Sequence, residues 1–332
     1  MLTVTQAGLH CAAGRFHLDP VRAVDRALIT HAHSDHARPG CRAYLCARES
    51  VPLLRRRLGR KASITGLAYG APLTLDGVRV SFHPAGHILG SAQIRVEHRG
   101  EIWVLSGDYK PEPDPTCTPF EPVRCHTFIT ECTFGLPIYR WPATAEVFAD
   151  IDRWWQANQR EGTTSVLLGY SLGKAQRLLA GLNPDTGPIF VHDSVREFLP
   201  AYDEARVRLP EALPAQPEAI RAERGLGLVV APPAVQSTPW FAQLGDTATG
   251  FASGWMLVRS ARPRNPRDRG FVLSDHADWP GLIASIRATG ATRVLATHGA
   301  TAPLVRWLRE NGWDAAPLGE PGGTPANPRP AD

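Results

Sequence analysis

The chain of 332 residues lacks long hydrophobic runs. No apolar stretch of about 18 residues occurs, so no transmembrane helix is expected. The amino terminus lacks a basic start followed by an apolar segment, which argues against a signal peptide. These two absences together predict a cytoplasmic protein. No internal repeat is visible, and the length predicts about two domains.

Cysteine is present, but it forms no motif. The six cysteines include no Cys-x-x-Cys pair. A cytosolic protein would keep them reduced. Cys41 and Cys46 could bind a metal, although free apolar cysteines are the more common case.

The net charge of +4 is modest and is compatible with an anionic polymer as substrate. The basic residues cluster in two runs, residues 55–61 and 262–269. The first run is either a solvated helix face or a binding surface. The second run is interleaved with proline, and its Arg262 and Arg264 are predicted to contact phosphate.

Potential metal ligands crowd one short segment that follows the apolar run 27–29. They are His31, His33, Asp35 and His36. Imidazole and carboxylate are ligands that zinc and similar divalent metals prefer. Alternation would place the side chains of residues 31, 33 and 35 on one side of an extended segment, and His36 breaks that alternation. The segment therefore predicts a metal site, and it suits two adjacent ions better than one.

Further ligands stand where predicted strands end. His87 lies in a glycine-flanked turn after strand 78–82, Asp108 follows strand 102–105, and His298 follows strand 293–297. Each alone could be a structural residue on a loop. Together with residues 31–36 they provide enough ligands for two metals, with Asp108 as the natural bridge.

At this point the chain resembles the metallo-β-lactamase superfamily. The resemblance is carried by residues 31–36, His87, Asp108 and Asp19, the last being a supporting acid behind the metal loop in that superfamily. Further segments narrow the resemblance to the β-CASP nucleases. Glu131 looks like the acid of their motif A, His276 within residues 272–278 like motif B, and His298 like motif C.

The amino-acid sequences of several segments are most similar to those of the bacterial branch called ligase-associated DNA exonucleases. The resemblance implies an α/β fold, namely an αββα metallo-β-lactamase sandwich with an inserted α/β β-CASP cap. The expected sandwich comprises residues 1–137 and 263–318. The expected cap comprises residues 138–262, and residues 319–332 are expected to form a disordered tail. The strand ending at Ser274 is assigned to the sandwich, and strand–helix alternation after residue 138 predicts a parallel sheet in the cap.

The resemblance also implies a mechanism with two divalent ions, zinc being expected and manganese an alternative. His31, His33 and His87 are assigned to one ion, whereas Asp35, His36 and His298 are assigned to the other. Asp108 would bridge them, and the ions would activate a bridging hydroxide for attack on a phosphodiester. His276 is the expected general acid, oriented by Glu131. The catalytic set is His276, Glu131, Asp108 and Asp35.

A predicted strand at residues 165–168 leads into a helix at residues 174–182. Ser171, Lys174 and Arg177 at the start of that helix could form a phosphate cradle. Packing alone explains the pattern nearly as well, so both interpretations stay open.

The expected function is a DNA exonuclease in DNA repair, with DNA as substrate and an ATP-dependent DNA ligase and a helicase as partners implied by the branch. An RNA-processing β-CASP ribonuclease is the first alternative, because the RNA enzymes of the family resemble this chain in having histidine at motif C. A small-molecule hydrolase of the superfamily and an inactive nucleic-acid-binding scaffold are further alternatives. The predicted cap, Glu131 and His276 argue against a small-molecule hydrolase. The complete set of candidate ligands argues against an inactive scaffold.

Overall fold

The computed structural model describes residues 1–258 and 267–319. Arg262, Arg264 and nearly all of the predicted tail lie outside the described residues. The chain divides into two compact units, which we call unit 1 (Met1–Arg140 with His276–Asp332) and unit 2 (Trp141–Asp275). Among the helices of the described part, none is long and apolar enough to cross a membrane.

The elements are short and numerous. Those before the insertion are β1 (Thr3–Thr5), β2 (Gly8–Cys11), β3 (Phe16–Leu18), β4 (Arg26–Leu28), β5 (Ala43–Ala47), α1 (Val51–Leu58), β6 (Ile64–Leu67), β7 (Leu73–Leu75), β8 (Val78–Pro84), β9 (Ala92–His98), β10 (Glu101–Leu105) and β11 (Thr127–Cys132). The 3-10 turns are Arg48–Ser50, Pro184–Thr186, Pro233–Ser237 and Gly254–Leu257.

Further elements belong to unit 2 and to the segment that returns to unit 1. Unit 2 contains α2 (Thr144–Glu161), β12 (Thr164–Leu168), α3 (Lys174–Gly181), β13 (Ile189–Val191), α4 (Asp193–Arg196), α5 (Leu199–Glu204), β14 (Leu213–Pro214), α6 (Pro217–Ala222), β15 (Leu228–Ala231), α7 (Pro239–Ala242), β16 (Thr247–Ala252) and β17 (Arg269–Phe271). The chain then returns to unit 1 as α8 (Trp279–Thr289), β18 (Arg293–Gly299), α9 (Thr301–Glu310) and β19 (Asp314–Pro317).

Unit 1 is built of two sheets with helices outside them. One sheet has the order β1-β2-β3-β4-β5-β6 and the other the order β19-β18-β11-β10-β9-β8-β7. Phe16 and Leu28 from the first sheet and Phe82 and Ile94 from the second belong to one fully buried core, so the sheets pack face to face. A second core joins β11 and β18 to α8 and α9, and α1 buries Leu53 and Leu54 beside β6. This layering confirms the predicted αββα sandwich.

Unit 2 is a parallel α/β layer. Its sheet has the order β14-β13-β15-β12-β16-β17, and every pairing in it is parallel. The strands read as continuous apolar runs because separate clusters of buried residues cover the two faces. In α2, Ile151, Trp154 and Trp155 are buried, as expected for an amphipathic helix. The predicted parallel sheet is confirmed.

The strand predicted to end at Ser274 differs from expectation. It is β17, which ends at Phe271 and pairs with β16 in the sheet of unit 2. Phe271 also packs edge-on against Trp154, with ring centroids 5.6 Å apart. The assignment of this strand to the sandwich was therefore wrong, because its hydrogen-bonding partner lies in unit 2. Accordingly, unit 2 extends to Asp275, beyond the expected boundary at residue 262.

Candidate metal centre

The predicted ligands of unit 1 lie at or near the ends of strands from both of its sheets. The loop of residues 30–36 follows β4, and His87 follows β8. Asp108 comes just after β10, Glu131 lies in β11, and His298 lies in β18. Polar side chains collect at such ends because the hydrogen-bonded ladder stops there while the sheet still fixes the backbone.

Asp19 organises the first part of the loop. Its carboxylate accepts hydrogen bonds from Thr30 N at 2.8 Å and Thr30 Oγ1 at 2.6 Å. Because that hydroxyl donates to Asp19, it accepts from His31 Nδ1, 3.0 Å away. Asp19 also accepts from His36 Nδ1 at 2.8 Å. Both imidazoles therefore carry their proton on Nδ1 when neutral, which leaves the Nε2 lone pairs available to a cation.

Three imidazole nitrogens converge beside this chain of hydrogen bonds. His33 Nδ1 lies 3.0 Å from His31 Nε2 and 3.2 Å from His87 Nε2. Zinc bond lengths of about 2.0–2.2 Å place tetrahedral ligands about 3.3 Å apart, so the spacing suits a shared ion. His31 is fully buried, and burial lowers its pKa well below the ordinary value. This keeps the imidazole neutral, as a metal ligand must be.

The Asp108 carboxylate lies beside this group. Its Oδ2 is 3.7 Å from His31 Nε2, 3.8 Å from His87 Nε2 and 3.6 Å from His36 Nε2. Burial opposes ionisation, but the neighbouring imidazoles, His36 above all, lower the pKa of Asp108 well below its usual range. The ligand atoms of His31, His33, His87 and Asp108 all lie within 4.8 Å of one another.

His36 opens towards a second set of predicted ligands. Its buried Nε2 has no hydrogen-bond partner, although Asp35 Oδ2 lies 3.6 Å from it. The ring centroids of His36 and His298 are 5.3 Å apart. Burial lowers the pKa of His36, but the carboxylates of Asp108 and Asp19 outweigh it and raise that pKa well above the ordinary value. Asp35 and His298 are exposed.

The donor set therefore fits a divalent ion. Three converging imidazole nitrogens, the adjoining Asp108 carboxylate and the buried His36 Nε2 form a set of nitrogen and oxygen donors of the kind that divalent ions bind. Described residues of unit 1 thus include a His/Asp cluster able to bind metal.

The loop carrying His87 is held by contacts that the sequence did not single out. Ser91 Oγ accepts hydrogen bonds from His87 N at 3.0 Å and Ile88 N at 3.2 Å, and Tyr69 Oη donates to Ser91 O at 3.0 Å. Gly90 has a φ of +74°, and a Cβ there would lie 2.3 Å from Ser50 N. The glycines flanking His87 were the available signal, whereas nothing local pointed to Tyr69 or Ser91.

Helix α1 borders the metal loops. Arg57 Nε donates a short hydrogen bond to Ala32 O, the carbonyl between His31 and His33. Ser50, which precedes α1, packs against Gly90. Arg55, Arg56 and Arg60 are exposed. The basic run was visible in the sequence, but its contact with residue 32 was not, because 25 residues separate the two partners.

A second group joins the metal cluster to His276. Asp108, Glu131 and His276 each offer an atom within 4.8 Å of the others. His276 Nδ1 donates to Glu131 Oε1 at 2.7 Å, so Nε2 lies on the side of the ring away from Glu131. The His276 ring also packs against those of His87 and Phe134, with centroids 4.8 and 6.0 Å away. Its side chain is 22% exposed, whereas that of Glu131 is 1% exposed.

Glu131 is held as an anion. Its carboxylate also accepts from Tyr109 N and Thr133 N, each at 3.1 Å, and from Thr133 Oγ1 at 2.5 Å. Burial would raise the pKa of Glu131, but the hydrogen bond and charge of His276 lower it. A carboxylate with four donors is a fixed support for an imidazole.

The predicted phosphate cradle lies in unit 2. Ser171 is half-buried and donates to Ser194 Oγ at 3.1 Å. Lys174 and Arg177 are 3% and 4% exposed, and both contact the Asp275 carboxylate. Because both cations are buried against a carboxylate, they are poorly placed to bind a phosphate of a substrate.

No protein-family model matches the chain. A probable DNA ligase of Opitutus terrae is 33% identical over 317 residues, which is 94% of this chain and 30% of the relative. The ribonuclease TTHA0252 of Thermus thermophilus is 27% identical over 49% of this chain and 44% of its own length. The endoribonuclease ysh1 of Aspergillus fumigatus is 30% identical over 32% of this chain and 12% of its own.

The chain thus spans under a third of the length of the ligase relative. A crystal structure of a protein of unknown function from Enterococcus faecalis superposes with a TM-score of 0.60 at 13% identity, covering 90% of this chain and 80% of that one, which bears on the fold alone. Together with the αββα layering, the similarities to these proteins fit the metallo-β-lactamase superfamily and its β-CASP members.

Proposed function

We propose that this chain is a metal-dependent nuclease that hydrolyses phosphodiester bonds of DNA, acting as an exonuclease in DNA repair. The observation that carries the proposal is that Asp108 belongs both to the His31, His33 and His87 cluster and to the group with Glu131 and His276. One carboxylate thereby lies next to both a place for cations and a place for an acid, and each of these promotes phosphodiester hydrolysis.

We propose two divalent ions, zinc being expected and manganese the alternative. His31, His33 and His87 would hold one ion, His36, Asp35 and His298 the other, and Asp108 would contact both, with Asp19 supporting the loop. Bound there, the ions would supply charge neutralisation of the phosphate and a water of lowered pKa.

The residues of the chain supply the rest of the chemistry. As the phosphorus–oxygen bond breaks, the departing sugar oxygen takes a proton from His276 Nε2. Glu131 holds the opposite nitrogen at 2.7 Å, and its negative charge stabilises the imidazolium that gives the proton. Protonation of the leaving oxygen requires no other acid in this scheme.

A polyanion is the proposed substrate because cations flank the metal loops. Arg55, Arg56 and Arg60 on and beyond α1 are exposed, and α1 contacts the loop carrying His31 and His33. Such cations would bind the backbone phosphates of a strand whose scissile bond lies at the metals. Ser171 of unit 2 is a further proposed contact, and Arg262 and Arg264 keep that predicted role outside the described residues.

Two sets of similarities bear on the choice between DNA and RNA. The Opitutus relative carries a region similar to this chain within a longer polypeptide named a probable DNA ligase. A region similar to this chain within a polypeptide named a DNA ligase supports DNA as the substrate and a ligase as a partner. A helicase partner and action in the cytoplasm are expected from the resembled branch. The relatives named endoribonuclease and ribonuclease favour RNA, so an RNA-processing enzyme is the second candidate.

The test uses matched labelled DNA and RNA strands, single and double, with zinc or manganese restored to the purified chain. Stepwise shortening of DNA with RNA intact is the expected result. Cleavage of RNA with DNA intact would transfer the proposal to the second candidate. Cleavage of neither by protein that retains metal would overturn nuclease function.

A further inference from the structure

Lys174, Arg177 and Asp275 form a buried ionic cluster in unit 2, here named the Asp275 anchor. Lys174 Nζ lies 3.0 Å and Arg177 Nη1 2.8 Å from the same oxygen, Asp275 Oδ1. The three residues are 3%, 4% and 6% exposed. Lys174 and Arg177 lie three residues apart in the first turn of α3, so their side chains leave one face of the helix.

The same two cations bind the main chain before Asp275. Lys174 Nζ donates to Leu273 O at 2.6 Å, and Arg177 Nη1 donates a short hydrogen bond to Ser274 O. Residues 272–275 follow the end of β17 and belong to no strand. Their carbonyls therefore lack sheet partners, and the two cations replace the ladder in holding this backbone.

Room for the lysine stem comes from Gly169, just after β12. A Cβ at residue 169 would lie 2.7 Å from Lys174 Cγ and 2.8 Å from Leu178 Cδ1. The absence of a side chain at this position thus lets Lys174 run inward to residues 273–275 rather than outward to solvent.

The residue after the anchor is His276, the first residue of the segment that returns to unit 1. The main chain on its other side is held too, since Ala277 N donates to Tyr109 O at 2.9 Å. We propose that Lys174, Arg177 and Asp275 are positioning residues for His276: they fix the backbone immediately before it, so that its imidazole meets the leaving oxygen in one orientation. This inference rests on the proposed function.

Burial separates this role from a phosphate cradle. A phosphate contact needs a cation that the substrate can reach, whereas both cations here are enclosed and already bind a carboxylate and two carbonyls. A buried ion cluster contributes little net stability relative to apolar packing. Its contacts nevertheless depend on direction, so they hold the groups that they join in one orientation. The Asp275 anchor should therefore affect proton transfer by His276 and leave substrate affinity unchanged.

The experiment compares Lys174→Met, Arg177→Met, Arg177→Lys and Gly169→Ala with wild type on two substrates. One is the nucleic acid strand that wild type cleaves, and the other is a p-nitrophenyl phosphodiester, whose leaving group needs no proton. We expect kcat on the strand to fall about 10- to 100-fold in the Met variants, with KM, metal content and p-nitrophenyl turnover close to wild type. Arg177→Lys should recover part of the loss.

Hydrogen exchange gives a readout independent of activity. Amides of residues 273–277 should exchange faster in Lys174→Met and Gly169→Ala. The control Arg153→Met removes an exposed ion pair of α2 and should leave the exchange of these amides unchanged. Asn158→Leu removes a buried hydrogen bond to Ser165 in the same unit and controls for general loss of stability. It should not reproduce the substrate dependence.

Equal slowing on both substrates, a raised KM with unchanged kcat, or wild-type behaviour of all four variants would each overturn the anchor's role. Should the Met variants fail to fold, Arg177→Lys and Gly169→Ala decide. Wild-type protein that retains metal but cleaves neither DNA nor RNA would remove the proposed function, and the anchor's role with it. Active wild type with unaffected variants would remove the anchor alone.

Discussion

Three histidines of unit 1 use the same ring nitrogen to form a hydrogen bond within the protein. His31, His36 and His276 all use Nδ1 to bond a neighbour, respectively Thr30, Asp19 and Glu131. Each thus presents Nε2. For His31 and His36 that atom faces the Asp108 carboxylate at 3.6–3.7 Å, whereas the His276 ring is partly exposed. The same bonding pattern therefore suits ligands in one place and an acid in another.

The role of His276 can be tested by changing the leaving group. His276→Ala should retain metal and bind nucleic acid normally, yet lose about 10²–10⁴-fold in turnover on the strand. A p-nitrophenyl phosphodiester should recover most of that loss. Glu131→Gln should show the same pattern in milder form, because Glu131 only holds the imidazole.

Loss of metal from His276→Ala would identify the residue as a ligand. Equal slowing on both substrates would identify it as a structural support. Either result would move the acid elsewhere. Elemental analysis together with the two kinetic assays distinguishes these cases.

At the scale of elements, the metal loops depend on tight packing of turn against turn. Gly90 and Gly77 both adopt left-handed backbone, with φ of +74° and +83°. A Cβ at Gly90 would strike Ser50 N at 2.3 Å, whereas one at Gly77 meets nothing within 4 Å. The two glycines thus share the conformational cost of substitution and differ only in the close contact.

Alanine at each glycine separates these effects. Both variants should lose about 1–2 kcal/mol of unfolding free energy from the left-handed backbone. Gly90→Ala should lose about 1–3 kcal/mol more from the contact and should also weaken metal binding, since His87 lies in the same loop. Denaturant unfolding and a chelator competition provide the measurements. Equal losses in both variants would show that the contact relaxes freely.

The exposed arginines on and just after α1 lead to a prediction about how nucleic-acid binding depends on salt concentration. If Arg55, Arg56 and Arg60 bind backbone phosphates, each reversal to glutamate should weaken binding and reduce the log–log salt slope by about 0.7 for a single strand. Arg99 in the β9–β10 turn is also exposed, and Arg99→Glu makes the same change of charge in the same unit. Salt slopes that are identical in all four variants would remove α1 from the path of the nucleic acid.

At the scale of the whole molecule, we expect metal binding and folding to be coupled. Purified chain should hold close to two divalent ions, because seven side chains are proposed as ligands. Asp108→Asn should diminish both sites, whereas His87→Ala should mainly weaken one. Removal of the ions should lower the unfolding temperature, since ligands that bind only the folded state stabilise it. Elemental analysis finding one ion or none after reconstitution would contradict the two-metal proposal.

Much of the site and fold could be predicted from local pattern. Residues 31–36 carry their chemistry within one turn of chain, and alternation in strands such as β8, with Val78, Val80 and Phe82 buried and Arg79 exposed, reports a covered face directly. The layered sandwich and the parallel sheet of unit 2 followed from such patterns together with the resemblance. These features are readable because the residues that cause them are neighbours in sequence.

The tertiary structure alone decided the rest. It assigned β17 to the sheet of unit 2, linked Thr30 to Asp19 across 11 positions, and brought Arg57 to Ala32. It also buried Lys174 and Arg177 at Asp275, with Arg177 and Asp275 98 residues apart. A cation reads the same in sequence whether it meets solvent, phosphate or a buried carboxylate. Its partner is chosen by how distant segments pack, and that choice leaves no local trace.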